Sequence, residues 1–150
     1  MSPAGAVTLS DDERAFAKRH RVGHLATAAA TGTPHVIPVC YALVRECFYF
    51  VVDDKPKRTR HRLKRLRNLA ENPRVALVID DYDEDWSRLS YLLVQGTAAL
   101  VTDHDEYTAV LEELRHRYPQ YRTMDLQFDR HPMVRIQPDS RHLWRAGGAG

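Results

Sequence analysis

The chain has 150 residues, 43% of them hydrophobic and 28% charged, with a formal net charge of +2. That describes a single soluble domain, and no apolar run approaches the ~20 residues of a membrane-spanning helix. The charge is uneven: eight basic groups crowd into residues 55–67, leaving 14 basic and 20 acidic groups elsewhere. This excludes the broad positive face of a duplex-DNA binder and suits capture of one compact anion.

The N-terminal "MSPAGAVTLSDDERAF" has neither a basic region nor an apolar signal core, so a cytoplasmic location is expected. Ser10 followed by Glu13 is a capping box, with Asp11 and Asp12 at the positive end of the helix it opens. The helix should run from about Asp11 to His20 and bury Ala15, Phe16 and the stem of Arg19. Val22 to Ala28 reads as a strand, "ATGTP" as a turn, and His35 to Leu43 as the returning strand. Pro38 cannot donate to a ladder, so it marks an edge or a bulge where backbone groups are free for a ligand. After a turn at Arg45-Glu46, "CFYFVV" (residues 47–52) is a third strand, rich in aromatic and β-branched residues.

The basic stretch "KPKRTRHRLKRLRNL" follows at once. From Thr59 its apolar positions, Leu63, Leu66, Leu69 and Ala70, have helical spacing, and Asn72-Pro73 stops the helix. Lys55 and Lys57 lie just beyond a strand end and ahead of a helix N-terminus, a recurring arrangement for clamping phosphate; a solvated helix face and nucleic-acid contact are the other readings of the cluster. "RVALVI" (residues 74–79) is predicted to be a strand buried on both faces. "DDYDEDWSR" is an acidic connection that matches no calcium loop; its Trp86 needs a surface to pack on, such as a flat cofactor or a partner subunit. Ser90 to Val101 is a long strand with a bend or bulge at Gly96. Asp103 to Tyr118 is a second main helix with Tyr107, Val110, Leu111 and Leu114 on one face. Residues 119–130 read as irregular or a short helical turn, and a last strand ends near Trp144. Residues 1–150 form one domain, with 146–150 a flexible tail.

The sum is a mainly β (α+β) fold: a six-stranded antiparallel barrel with peripheral helices. Cys40 and Cys47 read as small strand residues and not as a disulfide. The eight histidines show no HxH or HExxH spacing, so no metal site is expected. His24 and His35 are read as strand histidines with local hydrogen bonds. No dinucleotide fingerprint, P-loop or nucleophile elbow occurs.

The order "GHLAT…TGTPHVIPV…FYFVV…NLAENPRVAL…DYDEDWSRL…VQGTA" resembles the split β-barrel flavin- and deazaflavin-binding oxidoreductases grouped with pyridoxamine 5′-phosphate oxidase. "DYDEDWSRL" followed by "VQGTA" is similar to an actinobacterial subgroup using coenzyme F-420. The resemblance covers residues 10–145 and implies an FMN-binding-protein-like split barrel. It further implies a homodimer with the cofactor in a groove between subunits, a small-molecule substrate, and neither nucleic-acid nor membrane partners.

The resemblance also implies the site residues. The cofactor ring would meet backbone near Val36, Ile37 and Pro38, with Val51 at the end of the third strand. Its phosphate would meet Lys55, Lys57, Arg58 and Arg65. Trp86, Arg88 and Trp144 would cover the ring across the dimer. The expected function is hydride transfer from F-420 to a small unsaturated or conjugated substrate; FMN chemistry, a non-catalytic cofactor carrier and a nucleic-acid-binding module are the alternatives. The cofactor carries the reactive atom, so no dedicated catalytic nucleophile is expected. Tyr41, Tyr91 and His35 are candidate proton donors among which the sequence does not select.

Overall fold

The computed structural model describes residues 5–53 and 66–148. Helix α1 (Asp11–Arg19) begins at the expected capping box: the Ser10 hydroxyl accepts from the Glu13 amide at 3.1 Å, and the Glu13 carboxylate accepts from the Ser10 amide at 2.7 Å. Its buried face is Glu13, Phe16 and Ala17. Ala15 and Arg19, expected inside, are exposed, because the face that meets the sheet is set one position away from them. Arg141 reaches the otherwise buried Glu13 at 3.2 Å.

Seven strands form, not six: β1 (Val22–Ala28), β2 (Pro34–Cys40), β3 (Ala42–Val44), β4 (Cys47–Val51), β5 (Arg74–Asp81), β6 (Ser90–Leu100) and β7 (Met133–Arg145). The predicted strand at residues 35–43 is broken at Tyr41, and its halves lie at opposite ends of an antiparallel sheet ordered β2-β1-β5-β6-β7-β4-β3. Six strand spacings laid flat would separate β2 from β3 by about 29 Å. One residue cannot bridge that gap, since consecutive Cα atoms are about 3.8 Å apart. The sheet therefore curls into a barrel whose edges meet at Tyr41. The β3–β4 connection is a tight turn with Arg45 at φ 50° and Glu46 at φ 70°, the twist that two-residue hairpins favour. Glu46 is held there by the Leu9 amide (3.0 Å) and by a salt bridge to Arg14.

Two cores result. The barrel interior packs Leu25, Val39, Tyr41, Phe48, Phe50, Leu77, Ile79, Leu92, Val94 and Ile136 against Phe16 of α1. Leu69, from the helical residues 66–71 (α2), joins them, while Ala70 is exposed. A second core lies under α3 (His104–Arg117), where Tyr107, Val110, Leu111 and Leu114 cover Tyr49, Val51 and Met133. The strand buried on both faces is thus β4. β5 was expected to be so, but it alternates: Val75, Leu77 and Ile79 face inward, while Ala76 and Val78 are only half-buried on the outside. A short 3-10 turn, Pro119–Thr123, follows α3. Residues 146–148 continue from β7 as a hydrogen-bonded turn, Ala146 donating to Leu89 and Gly148 to Arg145.

Candidate functional site

β2 is an edge strand, and an edge presents unpaired backbone groups. Pro38 sits on it as the missing amide requires, opposite His24 of β1. Val36 is 64% exposed, and Pro38 is exposed too. Residues paired directly across a sheet share a face. Register therefore places Val36 and Pro38 on the outer face with Ala26 and His24, then Ala76 and Val78, then Leu93. Two residues along the same strand, Tyr91 pairs with Trp144 of β7, and their rings stack at 5.5 Å and 24°. The outer face thus carries a mostly apolar band from exposed Val36 and Pro38, through half-buried Ala26, Ala76, Val78 and Leu93, to an aromatic stack. β2 and β7 are four strand spacings apart along the sheet order, about 19 Å laid flat, so Trp144 stands well away from the β2 edge of its own chain.

The acidic loop ends beside that stack. Asp85 caps a 3-10 turn, Trp86–Arg88, accepting from the Ser87 amide (3.1 Å) and hydroxyl (2.7 Å); these bonds hold its carboxyl below the ordinary value. Asp83 accepts from the Asp85 amide at 2.7 Å, and Asp81 bonds His20 at 2.7 Å. The carboxylates thus hold the loop together, and no group of three or more metal-ligating side chains occurs among the described residues. Trp86 is 67% exposed and touches Tyr82, itself 65% exposed, through a 3.5 Å hydrogen bond. Arg88 is exposed, 3.7 Å from Asp85.

A cavity of about 710 Å³ opens at the other end of β2. Cys40 and Asp53 border it on one side, and Tyr118, Tyr121 and Met124 on the other. Arg21 and Arg117 add positive charge. Burial pushes the Tyr121 phenol up, and the neighbouring Asp53 carboxylate adds to the effect. Burial likewise raises the Cys40 thiol, with Asp53 reinforcing and Arg117 opposing.

The expected site residues therefore divide. Val36 and Pro38 are exposed on the β2 edge strand, while Ile37 is half-buried against the barrel core; Trp144 stands on β7 beside Tyr91, and Trp86 and Arg88 are exposed on the 3-10 turn ahead of β6. Val51 is buried, its side chain packed in the core that α3 covers. Lys55, Lys57, Arg58 and Arg65 lie outside the described residues; of the eight basic groups in 55–67, Arg67 alone is described, and it is exposed. His24 and His35 are not brought together: His24 pairs with Pro38 on the outer face, whereas His35 pairs with Thr27, whose side chain turns inward. Tyr118, Tyr121 and Asp53 were missed. The signal for the two tyrosines was "RHRYPQY", a cluster of Arg and Tyr where the predicted helix stops.

The family profile described as "Pyridoxamine 5'-phosphate oxidase" matches residues 9–144. The chain belongs to the pyridoxamine 5′-phosphate oxidase family. This oxidoreductase family accounts for the curled antiparallel sheet. Among individual proteins, a "5a,11a-dehydrotetracycline/5a,11a-dehydrooxytetracycline reductase" of Streptomyces rimosus subsp. rimosus is 32% identical over 91 residues, 60% of this chain. That match spans 62% of the reductase's own length, less than two thirds. The fold is shared with a conserved hypothetical protein from Mycobacterium tuberculosis (TM-score 0.73, 22% identity, 98% of this chain and 91% of that one). It is also shared with HutZ, a heme storage protein from Vibrio cholerae (TM-score 0.68, 18% identity, 94% and 96%). Within this family fold, the outer face and the cavity at the end of β2 are two surfaces open to a ligand.

Proposed function

We propose that the protein is a coenzyme F-420-dependent reductase that acts as a homodimer on a small conjugated acceptor. The observation that carries this reading is the exposed β2 edge bordering a mostly apolar face, in a chain of an oxidoreductase family with partial identity to a reductase. When bound, the deazaflavin would supply the hydride. The residues present fit such a group. Flat apolar side chains (Val36, Pro38 and the Tyr91–Trp144 stack) offer ring contacts, and the strand edge offers backbone donors and acceptors to orient the ring's polar border.

Two copies packed through their outer faces would exclude water and bring Trp86, Arg88 and Trp144 of one protomer over the β2 edge of the other. The stack's distance from its own β2 favours that cross-subunit arrangement. The density of cations at residues 55–67 suits a long polyanionic tail better than a single phosphate. Lys55, Lys57, Arg58 and Arg65 are the proposed anchors. The cavity beside Cys40 is the proposed place for the acceptor, with Tyr121 and Met124 as its walls.

The test is a binding titration of purified protein with F-420, FMN and heme, repeated on Lys57→Ala. Tight F-420 binding weakened in the variant supports the proposal, as does sedimentation as a dimer. Tighter FMN binding, with yellow protein on purification, favours the flavin alternative. Preferred heme binding, or F-420 binding with no turnover over a broad acceptor panel, overturns the reductase reading.

A further inference from the structure

Tyr41 belongs to no ladder: it is the residue at which the chain leaves one edge of the sheet and joins the other. It is also fully buried, so its amide and carbonyl need partners other than water. Both come from the end of α3. The Tyr118 hydroxyl accepts from the Tyr41 amide at 3.0 Å and lies 2.8 Å from the Tyr41 carbonyl and 2.7 Å from that of Arg21, to either of which it can donate. Arg117 donates to the Tyr41 carbonyl (3.0 Å), the Lys18 carbonyl (3.1 Å) and the His20 carbonyl (2.7 Å), and also to the Tyr118 hydroxyl (3.2 Å). The Lys18 carbonyl, in the last turn of α1, is one that the helix cannot satisfy itself. The Tyr41 hydroxyl closes the cluster by donating to the Ala17 carbonyl at 2.6 Å.

Two consecutive side chains thus pin the end of α1, the start of β1 and the break between β2 and β3 to one point. The guanidinium is bonded through all three nitrogens, a fork that lysine cannot reproduce.

We propose that Arg117 and Tyr118 are positioning residues: they fix where the β2 edge stands, and through it the Val36–Pro38 backbone offered to the cofactor ring. This rests on the cofactor reading above. β2 is bonded to the sheet on one side only, through β1. Its far end, Cys40, adjoins Tyr41, so a shift of the break passes directly into the strand. Strands β5 and β6, in the middle of the sheet, are held on both sides and do not depend on the break.

The experiment compares wild type, Tyr118→Phe and Arg117→Lys by hydrogen exchange and by titration with whichever of F-420 or FMN the wild type binds. Tyr118→Phe keeps the ring, which packs edge-on against Tyr121, and loses only the hydroxyl; Arg117→Lys keeps the charge and loses the fork. The expected result is faster exchange in residues 34–40, unchanged exchange in 74–81 and 90–100, and a cofactor Kd raised about tenfold. Uniformly faster exchange across all strands would mean that the pair serves general stability and would overturn the proposal. So would unchanged exchange in 34–40, or selective loosening with cofactor affinity within twofold of wild type. If the wild type binds neither cofactor, the functional reading fails, and the exchange pattern alone decides whether the pair positions β2.

Discussion

Replacing Gly96 by alanine tests how the barrel is bent toward its aromatic border. β6 and β7 pair in register from Ser90–Arg145 to Gln95–Ser140, then slip so that Gly96 faces Pro138 and Asp139 is left over. The bulge brings backbone into close approach: a Cβ on Gly96 would lie 2.2 Å from the Gln137 carbonyl oxygen and 2.9 Å from its carbon. Both obstacles are main chain, so no rotamer change relieves them, and the strands must part by about 1 Å to reach ordinary contact. Parting them weakens the ladder bonds on either side, each contributing about 1 kcal/mol. With the overpacking itself, the expected loss is about 3 kcal/mol. For a domain of this size that lowers Tm by about 6–12 °C. Gly32→Ala is the control: its φ of +89° strains any side chain, but nothing lies within 4 Å, so about 1–2 kcal/mol is expected. Thermal unfolding followed by circular dichroism measures both. A Gly96→Ala protein that melts no lower than Gly32→Ala would refute the close-approach argument.

Glu106 accepts from the Tyr49 hydroxyl at 2.7 Å and from Arg135 at 2.7–2.8 Å. Burial raises its carboxyl, but those two partners outweigh burial and hold it below its ordinary value of 4.5. A depressed carboxyl stabilises the fold above its unfolded value and loses that contribution as pH falls through the folded one. Urea midpoints should therefore fall with acid below about pH 4.5, and fall less steeply in Glu106→Gln. Leu114→Ala, on the buried face of α3 with no exposed surface, should cost about 2–5 kcal/mol in urea unfolding. Trp86→Ala should leave Tm within about 2 °C, because the ring rests on little of its own chain. In a titration it should weaken cofactor binding about tenfold or more, as loss of a stacking contact does.

Local rules carried much of the fold. The capping box at Ser10, the strand at residues 22–28, the α3 face of Tyr107, Val110, Leu111 and Leu114, and the irregularity at Gly96 all follow from neighbours within a few residues. The edge position of β2 was legible for the same reason, since Pro38 lacks an amide wherever the strand lies. Periodicity misjudged β4 and β5, because an apolar run does not say which strand a helix will cover. α3 lies over β4, and the outer face of β5 is left to half-buried Ala76 and Val78.

The candidate site was legible in part. Val36, Pro38, Trp86 and Trp144 were picked out by composition and resemblance; register puts Val36, Pro38 and Trp144 on one face of the sheet, and Trp86 is exposed on the turn before β6. The cavity walls at Tyr118, Tyr121 and Asp53 were not, because they come from segments more than 60 residues apart with no shared pattern. The sequence by itself determined where helices begin, which strands pair as neighbours in the chain, and where charge accumulates, since each depends on short-range sterics, hydrogen bonding and composition. Only the tertiary structure decided that Tyr41 divides one predicted strand between the two edges of the sheet. That division depends on closing the barrel, and the closing bonds come from Arg117 and Tyr118, 76 and 77 residues further along the chain.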